Sequence, residues 1–211
     1  MHKRYRRGSL WFTRLKTTEV CHATLQNSNF YRLLLRIDQD LAEQARAQRC
    51  RCGGVLHSAR YPRKPRGIPR EAQPDCDFRY SFCCAGCRRR TTPVSVRFLG
   101  RRVYVAAIMV TVCASRASAG TAAAVRQLDS LDVPVSTIAR WRRWWRTEFM
   151  TTPLWLLGRS DFMPPVEADL LPASLLERFV TTLQHSPLMG LLRWLTPLTS
   201  GSAASNLREV R

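Results

Sequence analysis

The stretch FCCAGCRRRTTP, residues 82–93, sets three cysteines close together and places three arginines directly after them. Within it, Cys84 and Cys87 have the spacing of a tight turn that offers two thiolates to one metal ion. A second pair, Cys50 and Cys52, is followed by two glycines that permit a similar turn. Because a tetrahedral zinc ion takes four such ligands, these four cysteines predict a small zinc-ribbon-like module that binds Zn2+.

The ligand set has two alternatives. Cys83 could replace Cys84, because it also lies within turn distance of Cys87. His57 could replace Cys50, since an imidazole nitrogen is another common zinc ligand. The other cysteines are expected to be buried thiols without a metal, as cysteine often is. They are Cys21, Cys76 and Cys113.

The composition is strongly basic, with 34 Lys and Arg residues against 15 acidic ones and a formal net charge of +19. Such an excess favours a polyanionic partner, either nucleic acid or an acidic membrane surface. Between Arg79 and Arg126 the chain has no Asp or Glu at all. We therefore predict one basic surface around the cysteines that binds phosphates through the planar guanidinium fork. It consists of Arg63, Lys64, Arg66, Arg70, Arg88, Arg89, Arg90, Arg97, Arg101 and Arg102.

The longest apolar run covers residues 103–114 and is shorter than the roughly 20 residues that span a bilayer. No secretory signal is recognisable at the start of the sequence. We expect a cytoplasmic, nucleoid-associated protein without a membrane partner. In that compartment cysteines serve as metal ligands or thiols more often than as disulfides.

Periodicity predicts an α+β fold that is mostly helical. A helix is expected over 29–48, capped by Ser28 or Asn29. Its apolar side consists of Leu33, Leu34, Ile37, Leu41 and Ala45. The proline-rich residues 60–74 predict a loop, 77–82 and 94–100 predict short strands, and 103–114 predicts a buried helix. We divide the chain into a basic arm and helix (1–48), the zinc module (49–105), a helix-turn-helix (106–152) and a helical tail (153–211).

The helix-turn-helix is predicted from residues 119–149, with a first helix over 119–131, a turn, and a second helix over 135–149. On a helical wheel, the apolar face of the second helix carries Ile138, Trp141, Trp145 and Phe149. The opposite face carries Ser136, Arg140, Arg143 and Thr147. Ser136 is expected to cap the helix, so that Thr137 and Arg140 lie where base edges are read. The alternatives are an ordinary amphipathic surface helix and a membrane-surface helix.

Three strings carry a resemblance: CRCGGVLHSARYPRKPRG (50–67), SFCC followed by CRRRTTPVSVRFLGRRVY (81–104) and VSTIARWRRWWR (135–146). Together they resemble bacterial transposase-associated proteins of insertion sequences and other mobile elements, over about residues 30–165. The resemblance implies a zinc-ribbon and helix-turn-helix protein that binds double-stranded DNA beside a transposase or recombinase.

No catalytic pattern accompanies these motifs. The acids do not form the triad that holds two metal ions in one class of transposase. No histidine pair suits a tyrosine nickase, and Tyr104 is the last tyrosine. We therefore favour a non-catalytic accessory of transposition or recombination. The alternatives are a catalytic transposase subunit, a zinc-stabilised RNA-binding protein, and an interaction module that uses the C-terminal apolar helices.

Overall fold

The structure, a computed structural model, describes residues 21, 23–99, 103–117, 131, 133–179 and 186–199. The chain divides into two compact units. One combines Met1–Thr24 with Met109–Leu191, and the other combines Leu25–Ile108 with Leu192–Arg211. The described residues form a mixed α/β structure of helices and small antiparallel sheets, in agreement with the predicted class.

The first described long helix, α1, covers Ser28–Ala47 and ends well before the glycines, as predicted. Its N-cap is Asn27, whose side chain accepts a hydrogen bond from the amide of Asn29. The predicted caps, Ser28 and Asn29, are therefore wrong by one or two residues. The buried face is also rotated from the prediction, because Leu33 is 47% exposed. That face carries Phe30, Tyr31, Leu34, Asp38 and Ala42.

Five short strands follow α1: β1 (Leu56–Ser58), β2 (Tyr61–Pro62), β3 (Phe78–Arg79), β4 (Phe82–Cys84) and β5 (Arg90–Thr91). The antiparallel order β1-β4-β5 makes one sheet, and β2 pairs with β3 in another. In the first sheet Leu56 lies opposite Cys84, and Phe82 lies opposite Thr91. This register brings the end of β4 beside the start of β1, next to the Cys50–Cys52 turn.

Two predictions for this unit need correction. Residues 60–74 are not all loop, because β2 and a turn of 3-10 helix at Arg70–Ala72 interrupt them. Residues 94–99 are not a strand. They form a buried loop because the Asp38 carboxylate accepts hydrogen bonds from the Ser95 hydroxyl (2.6 Å) and the Val96 amide (2.7 Å). The Asp38 side chain on α1 thus accepts a backbone hydrogen bond that the carbonyl of a neighbouring strand would accept in a sheet.

The apolar run forms helix α2, Ala106–Ala117, which confirms the helical prediction. Further along lie α3 (Val135–Arg146), α4 (Pro153–Gly158), α5 (Ala173–Glu177) and α6 (Pro187–Trp194). In the compact unit that contains Met109–Leu191, Trp145, Phe149 and Trp155 form an aromatic cluster. The ring centroids of Trp145 and Phe149 are 4.6 Å apart, and those of Phe149 and Trp155 are 5.4 Å apart. No helix among the described residues is both long and apolar enough to cross a membrane.

Helix α3 has the predicted faces. Ile138, Trp141 and Trp145 are buried. The polar positions 136, 140, 143 and 147 are exposed. The predicted cap is wrong, because the N-cap is Pro134, whose carbonyl accepts from the amides at 137 and 138. Ser136 instead lies inside the first turn. The predicted first helix, 119–131, lies almost wholly outside the described residues.

Candidate metal centre

Four cysteine sulfurs lie together in the unit that contains α1 and the sheets. The Sγ atoms of Cys50, Cys52, Cys84 and Cys87 all lie within 4.8 Å of one another. The Sγ atoms of Cys50 and Cys87 are 3.5 Å apart, and those of Cys52 and Cys84 are 3.4 Å apart. A tetrahedron with metal–sulfur bonds of about 2.3 Å has edges of roughly 3.8 Å. The four sulfurs therefore have the arrangement and the spacing to hold one metal ion.

The first pair of cysteines, Cys50 and Cys52, belongs to a turn closed by the backbone. The Cys50 amide donates to the Gly54 carbonyl (3.1 Å), and the Gly53 amide donates to the Cys50 carbonyl (2.8 Å). Gly53 has φ +80°, a conformation that side chains rarely adopt. A Cβ on Gly54 would lie 2.6 Å from the Cys84 sulfur. Both glycines are therefore needed for the two halves of the cluster to meet.

The second pair is held by a turn at the end of β4. The Arg88 amide donates to the Cys84 carbonyl (3.1 Å), and the Cys84 amide donates to the Arg89 carbonyl (3.0 Å). Arg88 has φ +59°, which is uncommon for a residue with a side chain. The arginine run thus starts inside the turn that presents the thiols.

A small apolar cluster supports both turns from one side. Ala42, Cys50, Leu56, Phe82 and Cys84 are buried together, with Ala45 and Tyr80 packed against them. Two thiols of the site therefore lie in the floor of the module. The other two, on Cys52 and Cys87, are exposed.

The alternative ligands lie outside the cluster. Cys83 pairs with His57 across the sheet, and Cys84 pairs with Leu56. Because successive side chains of a strand point to opposite faces, Cys83 and His57 face away from the four sulfurs. The Cys83 sulfur instead lies 3.6 Å from the Arg88 carbonyl. Cys21, Cys76 and Cys113 are buried, as predicted.

Two of the four thiols, on Cys52 and Cys87, have shifted pKa values. The Gly54 backbone amide, followed by the neighbouring thiols, lowers the pKa of Cys52 to about 6. At Cys87 the Arg89 backbone lowers the pKa, but the other three thiols outweigh it and raise the pKa to about 11. A divalent cation bound by the four sulfurs would stabilise the thiolate form and displace the thiol protons.

The predicted basic surface is partly present. Arg88, Arg89 and Arg90 are exposed beside the cluster, and Lys64, Arg66 and Arg70 are exposed on the proline-rich segment. Arg63 is half-buried, with its guanidinium 4.9 Å from the centre of the Phe98 ring. Burial lowers its pKa. Arg101 and Arg102 lie outside the described residues.

Arg97 does not belong to that surface. Its side chain is fully buried, and its Nε donates to the Asp38 carboxylate at 2.7 Å. Its guanidinium also donates to the Asp75 carbonyl and lies over the Phe78 and Phe98 rings. The prediction from sequence put Arg97 on the basic surface because arginine side chains are mostly exposed in proteins. The missed signal is Asp38, an acid in helical register with the buried positions 34 and 42.

Comparisons with protein-family models, curated proteins and solved structures gave no match to this chain. The chemistry of the cysteine cluster and the charges around it are therefore the basis for assigning a function.

Proposed function

We propose that this protein is a zinc-dependent, double-stranded-DNA-binding protein of a mobile genetic element, and that it serves transposition or recombination as a non-catalytic accessory. The observation that carries the proposal is the four-thiol cluster with three consecutive exposed arginines at its second turn. Metal binding and phosphate binding would then depend on the same short segment.

Zinc is the metal that fits the cluster best. Four cysteines in two turns around a tetrahedral centre form a typical structural zinc site. Such closed sites supply folding energy to small modules. The module here has strands of only two or three residues and a small apolar floor. A zinc ion that cross-links its two turns would hold the sheet together, in a zinc-ribbon-like arrangement.

The arginines after the cluster suit the DNA backbone. Arg88 sits in the left-handed position of the metal-binding turn, and Arg89 and Arg90 lead from it into β5. A turn fixed by zinc would present these side chains with little loss of conformational entropy on binding. Arginine pairs its planar fork with two phosphate oxygens, and release of counterions from DNA favours such contacts.

Helix α3 is the element that we propose recognises the base sequence of the DNA. Its exposed Arg140 and Arg143 lie opposite the buried tryptophans, with Thr137 in the first turn. A helix of this kind can enter the major groove, where an arginine bonds both acceptors of a guanine. The proposal treats α3 as the second helix of a helix-turn-helix.

The role in a mobile element rests on the resemblance of the three sequence strings. A non-catalytic accessory needs a catalytic partner, so the proposal includes contact with a transposase or recombinase.

The test combines metal analysis of the purified chain with its binding to a fluorescent 30-base-pair duplex, followed by anisotropy. We expect one zinc per chain, and Cys87→Ser should lose the zinc and bind the duplex on the order of tenfold more weakly. Cys83→Ser is the matched control, because the neighbouring thiol faces away from the cluster; it should keep both properties. Full zinc retention by Cys87→Ser would refute the ligand set. Tighter binding to single-stranded RNA than to the duplex would favour the RNA-binding alternative.

A further inference from the structure

A groove runs between helix α1 and strand β1. It has two adjoining parts, with cavity volumes of about 430 Å³ and about 260 Å³. Glu43 and Arg46 line both parts. One end is reached by Arg49 and Val55, and the other by Arg60 and Tyr80.

Strand β1 presents an open edge. In the order β1-β4-β5, one side of β1 faces β4, and the part of the chain that the structure describes places no strand on the other side. The Ala85 amide donates to the Val55 carbonyl, and the Ala59 amide donates to the Ser81 carbonyl. Antiparallel pairing alternates, so residues 55, 57 and 59 bond to β4 while Leu56 and Ser58 direct their backbone groups to the open side.

The groove is positively charged. Arg46, Arg49 and Arg60 line it, and none of them lies within ion-pair distance of a described carboxylate. The acid of the groove, Glu43, accepts a hydrogen bond from Gln39 of the same helix (3.2 Å). The Arg60 guanidinium is stacked 4.5 Å from the centre of the Phe78 ring, which fixes its position before any ligand arrives. Three arginines against one acid leave an excess of positive charge.

We propose that this groove binds an extended acidic segment of a protein partner, which adds as a further strand to the open edge of β1. The backbone of such a segment would alternate donors and acceptors opposite Leu56 and Ser58. From residue 55 to residue 60 an extended chain advances roughly 16 Å. Acidic side chains two or four positions apart would therefore point the same way and reach the arginines at the two ends.

A nucleic-acid strand matches the groove less well. Phosphate oxygens accept hydrogen bonds and would suit the arginines, but they cannot donate to the open carbonyls of Leu56 and Ser58. A peptide satisfies both the carbonyls and the amides of the edge. The inference does not rest on the proposed DNA binding, since it uses none of the four cysteines and none of the residues proposed to contact DNA.

The experiment measures anisotropy of a fluorescein-labelled seven-residue peptide, Glu-Thr-Glu-Thr-Glu-Thr-Glu, titrated with the full chain. We expect saturable binding, and the Arg46→Ala/Arg60→Ala variant should bind on the order of tenfold or more weakly, because it can no longer donate hydrogen bonds to the acidic side chains. Arg32→Ala/Arg36→Ala, at two exposed positions of α1 outside the groove, removes the same charge and should bind normally. The same peptide N-methylated at every residue keeps its charge but has no amide to donate from either edge, so it should not bind.

Ser58→Pro removes an edge amide that does not bond to β4, and this position of an edge strand tolerates proline. This variant should fold, as judged by circular dichroism, and should lose peptide binding. If the methylated peptide bound as tightly as the unmethylated one, charge alone would account for binding, and the proposed strand pairing with β1 would be wrong. If a single-stranded oligonucleotide at equal concentration displaced the peptide, and if this displacement required Arg46 and Arg60, nucleic acid would be the occupant instead. Failure of DNA binding in the wild-type chain would leave these outcomes unchanged.

Discussion

Gly54 illustrates how single residues define the cysteine cluster. A Cβ at this position would lie only 2.6 Å from the Cys84 sulfur, so any side chain would collide with it. Gly86, in the other turn, has no such neighbour, since an added Cβ would meet nothing nearer than 3.9 Å. The sequence places a glycine in each cysteine turn, but only the way the two turns meet shows that Gly54 has no room for a side chain whereas Gly86 does.

Gly54→Ala should therefore weaken metal binding and lower stability by about 1–3 kcal/mol, the usual cost of overpacking. The measurement is a competition titration of zinc against a chromophoric chelator, together with denaturant unfolding. Gly86→Ala is the control and should match the wild type in both assays. Similar effects of the two substitutions would mean that the turns do not meet as described.

At the scale of elements, α1 organises its unit through a buried carboxylate. The Asp38 carboxylate accepts hydrogen bonds from the Ser95 hydroxyl, the Val96 amide and the Arg97 guanidinium, each no longer than 2.7 Å. The pair is almost completely excluded from water, because Asp38 is 2% and Arg97 is 0% exposed. A buried charge is costly unless it is paired, so the helix and the loop over 94–99 depend on each other.

Asp38→Asn keeps the shape of the side chain but leaves the Arg97 charge buried without its counterion. We expect a loss of about 3–5 kcal/mol in the free energy of unfolding, measured in urea. Asp40→Asn, an exposed site on the same helix, should change stability by less than about 0.5 kcal/mol. An Asp38→Asn protein as stable as the wild type would show that the pair contributes nothing to folding.

Helix α3 separates a packing role from a binding role on its two faces. Trp145→Ala removes a fully buried ring whose centroid lies 4.6 Å from that of Phe149, and it should lower the free energy of unfolding by about 3–5 kcal/mol.

Arg140→Ala changes the exposed face of α3. It should leave stability unchanged while relaxing the preference at one base pair by about 1–3 kcal/mol. Thermal unfolding and selection from a random duplex library measure the two effects. Equal weakening on all duplexes by Arg140→Ala would identify a phosphate contact instead.

At the scale of the whole molecule, the net charge of +19 sets the general affinity for polyanions. The structure modifies that expectation, because some arginines are not available to a ligand. Arg97 neutralises Asp38, and Arg79 is buried with its guanidinium donating to the carbonyls of Pro93 and Thr199. Burial, which exceeds the effects of the nearby charges, lowers the pKa of Arg79 to about 10. We therefore expect the exposed arginines after the cluster to contribute more to binding of a polyanion than the total charge does.

Binding to duplex DNA should weaken steeply with salt. Replacing Arg88, Arg89 and Arg90 by Ala should reduce the slope of log K against log salt by about 0.9 for each phosphate that the variant no longer neutralises. The measure is anisotropy of a labelled duplex at several salt concentrations. A variant with Arg32, Arg36 and Arg159 replaced by Ala removes the same charge from exposed sites elsewhere and should keep a slope close to that of the wild type. An equal reduction in both variants would mean that net charge alone governs the binding.

The features that depend only on neighbours along the chain follow from the sequence. The turn spacing of the cysteines, the helical register of Ile138, Trp141 and Trp145, and the apolar run of α2 are local, and the structure agrees with each. The identity of the metal and the binding of DNA stay predictions.

Which of the competing residues come together depends on contacts between segments that are far apart in the sequence. The pairing of β1 with β4 chose Cys84 over Cys83, because one step along a strand turns a side chain to the opposite face. The contact of α1 with residues 95–97 buried Asp38 and Arg97, which a residue-by-residue reading places in water. The groove also depends on the fold, because helix α1 and the open edge of β1 line it together only in the folded chain. Such outcomes depend on long-range packing and on the pairing of charges across it, and the local pattern of the chain carries no record of either.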